Sequence, residues 1–172
     1  MAERVLLRRI RLLLALFMAG LVVSGATAIP LPWELALVTH SLTPPGDTPL
    51  ARWLLTVRAA LDAQGRDSPF LAYGTDWLAF GHFVIAVAFV GPWRDPVRNR
   101  WVLTFGLIAC ALVVPYALVF GALRGIPFVW RLIDCSFGVV GFVPLWLCDH
   151  DARRLEQMAL AGAGTSREAA RA

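Results

Sequence analysis

Lysine is absent from this 172-residue chain and charge of either sign is scarce: all sixteen basic residues are arginine, and charged residues make up 16% of the sequence against 58% hydrophobic. So little charge excludes an ordinary soluble domain, in which about a quarter of residues are charged. The formal net charge of +4 invites a nucleic-acid partner, but the arginines lie between apolar runs rather than in one patch. That distribution argues against a nucleic-acid surface and reads as a topology signal. Cysteine is sparse as well: Cys110, Cys135 and Cys148 fall inside or at the end of apolar runs, with no C-x-x-C spacing. Neither a disulfide framework nor a thioredoxin-like centre follows from that pattern. There is no Gly-rich phosphate loop, G-x-S-x-G or H-E-x-x-H motif, and no cofactor is expected.

What the chain has is apolar length. Stretches free of Asp, Glu and Arg run from Leu12 to Trp33 (22 residues), Trp77 to Trp93 (17) and Trp101 to Leu123 (23), each close to the roughly 20 residues a spanning helix needs. A fourth, Cys135 to Cys148, has 14 residues, about 21 Å of helix against a hydrocarbon core of about 30 Å. It spans only if it extends back to Gly125 and takes Asp134 into the membrane; a re-entrant segment is the alternative. The expectation is an all-α fold, a polytopic transmembrane four-helix bundle forming one domain over residues 1–155. Its spans fall at about 10–31, 72–92, 101–122 and 126–148, followed by a short flexible tail over 156–172.

Arginine sets the orientation. Arg4, Arg8, Arg9 and Arg11 precede the first span, Arg94, Arg98 and Arg100 fill the loop between the second and third, and Arg153, Arg154, Arg167 and Arg171 follow the fourth. These eleven of sixteen lie on one side, which the positive-inside rule makes cytoplasmic together with both termini. The first span has a rival reading as a cleaved signal peptide, with Ala26-Thr27-Ala28 as the small-residue site. The apolar run continues through Ile29, Leu31 and Trp33, past the end of a signal core, and favours a retained anchor.

The outer loop, residues 32–71, is long enough to carry structure. Thr48 can cap a helix with Pro49 at its first position; Leu50, Trp53, Leu54, Val57 and Leu61 recur at helical spacing, and Gly65 can end it. This predicts an amphipathic interfacial helix. A short helix from Pro32 to about Leu42 is predicted before it, with His40 solvated.

An ionised carboxylate near the bilayer centre costs about 2.5–3.5 kcal/mol, so charged residues in spans need a partner or a use. Asp76 and His82 in the second span and Arg131 and Asp134 in the fourth all fall in the outer half by helical rise, with Tyr73 and Arg124 nearby. His82 shares a stripe with Thr75, Ala79 and Ala86, and Asp134 with Gly138 and Gly141. Span three offers a matching small-residue seam in Gly106, Cys110, Val113, Ala117 and Gly121, with Pro115 as a kink. Two readings stay open. In one, Arg131 and Asp134 neutralise each other, His82 bonds Asp134 or a carbonyl, and Asp76 caps its span beside Arg124 or Arg131. In the other, Asp76, His82, Arg131 and Asp134 line an outward-facing site for protons or a small polar ligand. Cys148-Asp-His-Asp151 carries metal-capable groups, but only Cys148 and Asp151 share a face. It reads as a hydrated helix end, and no metal site is expected. Gly91-Pro-Trp-Arg-Asp-Pro96 reads as a tight turn.

Phe70-Leu-Ala-Tyr-Gly-Thr-Asp-Trp-Leu-Ala-Phe-Gly-His82, Gly91-Pro-Trp-Arg-Asp-Pro-Val97 and Arg124-Gly-Ile-Pro-Phe-Val-Trp-Arg-Leu-Ile-Asp-Cys-Ser-Phe-Gly138 resemble a family of small uncharacterised bacterial four-span membrane proteins with no assigned activity. The resemblance covers most of the chain from the first span to the fourth; Asp149-His-Asp151 and the Ala-rich tail match no pattern in it. It implies the topology and a bacterial inner-membrane location but supplies no chemistry. The expected role is non-enzymatic: a binding protein or accessory subunit in the lipid bilayer, joined to copies of itself or to another membrane protein through small-residue helix faces. A proton-linked transporter or channel component is the alternative, and an intramembrane enzyme with His82 as base and Asp134 orienting it is a further one. The latter lacks a nucleophile, because Ser136 at i,i+2 from Asp134 faces away.

Overall fold

The computed structural model describes residues 2–41 and 48–169. Among these the fold is all-α, with no strand. Seven helices follow in order: α1 (Ala2–Ala28), α2 (Leu31–Ser41), α3 (Pro49–Asp67), α4 (Pro69–Ala88), α5 (Val90–Arg94), α6 (Arg100–Leu123) and α7 (Phe128–Ala169). Four segments are long and apolar enough to cross a membrane: Ala2–Ala28, Pro69–Arg94, Arg100–Leu123 and Phe128–Gly162. The chain divides into two compact units, one of residues 1–19 and 87–172 and one of residues 20–86.

Local chemistry explains the helix boundaries. α1 stops at Ala28 because Pro30 disfavours helical geometry at Ile29. The Pro30 carbonyl then accepts from Trp33 and Glu34 and starts α2. Thr48 is the N-cap of α3: its backbone is extended, its Oγ1 accepts from the Ala51 amide at 3.1 Å, and Pro49 occupies the first turn. The helix runs two residues past Gly65 and ends at Asp67, where the Ser68 amide returns to the Gln64 carbonyl. α6 ends in a Schellman turn, with Ile126 N–H on the Gly121 carbonyl and Gly125 N–H on that of Ala122. Gly125 supplies the positive φ of 69° that this turn needs. Pro127 then prevents continuation, and α7 begins afresh.

Replacing Thr48 by alanine is expected to cost α3 about 1 kcal/mol, by leaving the first-turn amides unsatisfied. Amide hydrogen exchange should speed up at Ala51 and Arg52 and not in α6. Unchanged exchange at Ala51 would count against the cap.

In the unit of residues 20–86, α2 packs on α3. Leu35, Thr39 and Ala51 are buried there, and Arg58 of α3 donates to Thr39 Oγ1 at 2.8 Å. α1 meets α4 at Gly25, where a Cβ would lie 2.8 Å from the Ala79 carbonyl oxygen and 3.1 Å from His82 Cβ. Only glycine permits that approach. Gly25→Leu is therefore expected to force α1 off α4 and lower the thermal midpoint in detergent, whereas Gly74→Leu, with nothing within 4 Å of its Cβ position, should not. Equal midpoints for the two variants would contradict this crossing.

In the other unit, α6 packs along α7. The small-residue seam anticipated from the spacing is the contact. A Cβ on Gly138 would meet the Cys110 carbonyl oxygen at 2.5 Å and Val113 Cβ at 3.3 Å, and one on Gly141 would meet Cys110 Sγ at 2.9 Å. Gly106 makes room for Leu145 and Phe89 in the same way. Lipid tails are as apolar as leucine, so close packing rather than exclusion of water stabilises such a seam. The first part of α1 completes this core with Ile10 and Leu14, and Phe17 stands edge-on to Phe89 with centroids 4.8 Å apart. Cleavage at Ala28 would remove all three side chains.

Two expectations are corrected. Gly91-Pro-Trp-Arg94 is helical, as part of α5, and the tight turn follows it: Asp95 Oδ1 accepts from the Arg98 amide at 3.0 Å, and Asn99 Nδ2 donates to the Gly91 and Asp95 carbonyls. The last helix does not stop near Leu155. It continues through Ala169, 42 residues in all, because Ala, Leu, Arg, Glu, Gln and Met, all strong helix formers, dominate the stretch after Cys148.

Candidate functional site

The sequence-predicted polar residues fall into separate units. Tyr73, Asp76 and His82 lie on α4 in the unit of residues 20–86; Arg124, Arg131 and Asp134 lie around the α6–α7 turn in the other. On α4, Asp76 is exposed, and no hydrogen bond or ion pair reaches its side chain among the described residues. His82 lies six positions further on, so the two point to different sides of the helix. His82 is partly exposed, and its Nδ1 lies 3.1 Å from the Leu78 carbonyl. That contact requires the proton on Nδ1 in the neutral ring and leaves Nε2 as the acceptor. Tyr73 stands edge-on to Trp77, and Trp77 to Phe80, forming an exposed aromatic ladder on α4.

At the start of α7, Arg131 does not neutralise Asp134. Its Nη1 donates to the Leu118 carbonyl at 3.2 Å, its Cζ lies 5.2 Å from the centre of the Phe128 ring, and its stem fills the space over Gly121. Its Nε is buried without an acceptor. Asp134, partly exposed between buried Cys135 and exposed Ile133, has no hydrogen bond or ion pair among the described residues. Arg124 is exposed. Ser136 returns its hydroxyl to the Ile133 carbonyl at 2.6 Å, so the nearest hydroxyl is committed to its own helix. Cys110 and Cys135 are not bonded to one another; Cys135 Sγ faces the Val114 carbonyl at 3.8 Å, and all three cysteines are free.

The strongest polar cluster is one that sequence reasoning set aside. Asp149 is 5% exposed, not hydrated. Arg100 Nε donates to its Oδ1 at 2.9 Å and Arg153 Nε to its Oδ2 at 2.8 Å, while Arg100 Nη1 reaches Glu156 at 3.0 Å. α7 thereby holds the start of α6 through charge-assisted bonds. Two residues on, Asp151 is 1% exposed and faces Arg9 of α1 at 3.5 Å, with neither carboxylate oxygen accepting a hydrogen bond among the described residues. Cys148, fully buried, turns its thiol to the Ile10 carbonyl at 3.8 Å. A signal for this cluster was present. Asp149 and Arg153 are an i,i+4 pair, and the topology already placed Arg9, Arg100 and Arg153 on one side of the membrane.

Among the described residues no three His, Cys, Asp or Glu side chains gather as metal ligands would. An open groove of about 760 Å³ runs along the same end of this unit, between Ala2, Val5 and Leu6 of α1 and Arg154, Gln157, Met158 and Ala161 of α7. No family model, curated protein or solved structure matches the chain.

Proposed function

We propose that the chain is a four-span protein of a bacterial inner membrane, with both termini cytoplasmic and α1 kept as an anchor, that works without catalysis as a binding or accessory subunit. The observation that carries this reading is the state of Asp134: a carboxyl group in an apolar span with no hydrogen bond or ion pair among the described residues. Keeping such a group in hydrocarbon costs folding energy, about 2.5–3.5 kcal/mol for an ionised one at the bilayer centre. Association with another membrane component offsets that cost. Catalysis is the weaker reading because Ser136, the hydroxyl nearest Asp134 in sequence, is committed to a carbonyl of its own helix. The orientation rests on the arginine distribution, and anchoring on the burial of Ile10 and Leu14.

The test is native mass measurement of the protein taken from its own membranes in polymer-bounded lipid discs. A discrete assembly heavier than one chain of 18.8 kDa is the expected result; a single chain alone would overturn the reading. The chain mass in the same spectrum should include residues 1–28, and a mass lowered by their loss would show that α1 is a cleaved signal.

A further inference from the structure

Resting on that accessory-subunit reading, we propose that Asp134 is the docking point for a partner's transmembrane helix that carries an arginine or lysine at the same depth. Asp134 lies six residues beyond Phe128, about 9 Å along the helix axis. Its side chain is too short to reach back to the headgroups as arginine and lysine do. Arg131, one turn earlier, is held by the Leu118 carbonyl and the Phe128 ring and does not turn to it. On the exposed side of Asp134, Ile133 and Phe137 are 40% and 64% exposed, which leaves an apolar surface with one acid at its edge. A guanidinium or ammonium group brought by a partner helix complements that acid, and a guanidinium can engage both carboxylate oxygens.

A second copy of this chain is a poor match. It has no lysine, and the one arginine near that depth in its apolar spans, Arg131, already has a carbonyl and a ring as partners. The cation must therefore come from a different chain.

The experiment uses the full-length protein, donor-labelled through a C-terminal tag, in vesicles of phosphatidylethanolamine and phosphatidylglycerol. The probe is an acceptor-labelled polyleucine helix of about 20 residues with one arginine about 9 Å below the surface, compared with the same helix carrying leucine there. Energy transfer should show the arginine helix binding about 3- to 30-fold tighter. That preference should vanish in Asp134→Leu and persist in Asp76→Leu, with helicity by circular dichroism unchanged in both. Equal binding of the two probes, or a preference that survives Asp134→Leu, overturns the proposal. Transfer between differently labelled copies of the protein that is lost in Asp134→Leu also overturns it, because the occupant is then a second copy. The native assembly separates this inference from the reading beneath it. An assembly that persists in Asp134→Leu with no probe preference removes the docking point and keeps the accessory role, whereas no assembly in the wild type removes the accessory role itself.

Discussion

Asp149→Ala is expected to destabilise the protein by about 2–3 kcal/mol, while Asp134→Asn should change its stability by less than about 1 kcal/mol. The buried carboxylate of Asp149 accepts from two guanidinium groups, at 2.9 Å from Arg100 and 2.8 Å from Arg153. Removing one member of a buried ion pair can cost about 3–5 kcal/mol. Here the figure is discounted, because the Arg100 and Arg153 side chains are 33% and 58% exposed and rehydrate in part, and Arg100 keeps Glu156. Asp134 loses no bond on conversion to the amide. Unfolding in mixed micelles, monitored by far-ultraviolet circular dichroism, gives the comparison. The sequence pattern takes Asp134 into the membrane and reads Asp149 as part of a hydrated helix end, which would put the larger effect at Asp134; if Asp134→Asn proves the more damaging, the network at Asp149 is not what holds α6 to α7.

Gly138→Leu is expected to cost about 3 kcal/mol or more, toward and beyond the upper end of ordinary overpacking. The obstacle is backbone rather than a movable side chain: the new Cβ would stand 2.5 Å from the Cys110 carbonyl oxygen. α6 must then withdraw from α7, and the contacts of Gly141 with Cys110 and of Gly106 with Leu145 open with it. Gly162, also on α7, has nothing within 4 Å of its Cβ position, so Gly162→Leu serves as the matched control. A thermal midpoint for Gly138→Leu within a degree or two of the control would rule out the seam as the main contact of this unit.

Both predictions concern the same helix pair, and they differ in how visible they were beforehand. Gly106, Cys110 and Val113 on one helix and Gly138 and Gly141 on the other recur at helical steps, and small residues in apolar helices have few uses besides close approach. The cap at Thr48 with Pro49 was equally plain, because it involves residues within one turn. The partners of Asp149 and Asp151 on other helices were not. Arg100 is 49 residues from Asp149, and no spacing rule reports which helix ends meet. Arg131 was misread for a different reason: its acceptor is a backbone carbonyl, which every residue possesses and no residue type marks. For His82 the sequence reading allowed a carbonyl, and the Leu78 carbonyl is the partner it has.

The sequence by itself determined that the chain is helical, which segments are long and apolar enough to span a membrane, and where α2, α3 and the α6–α7 turn lie. Each of these depends on the order of residues over a few turns: hydrophobic length, a capping hydroxyl, a glycine with positive φ before a proline. Tertiary structure alone decided which charges pair between helices. It brought Arg100 to Asp149 and Arg9 to Asp151, and gave Asp134 no hydrogen bond or ion pair among the described residues. An ion pair between helices depends on the meeting of side chains far apart in the chain, and that meeting is set by how whole helices pack, which local pattern does not encode.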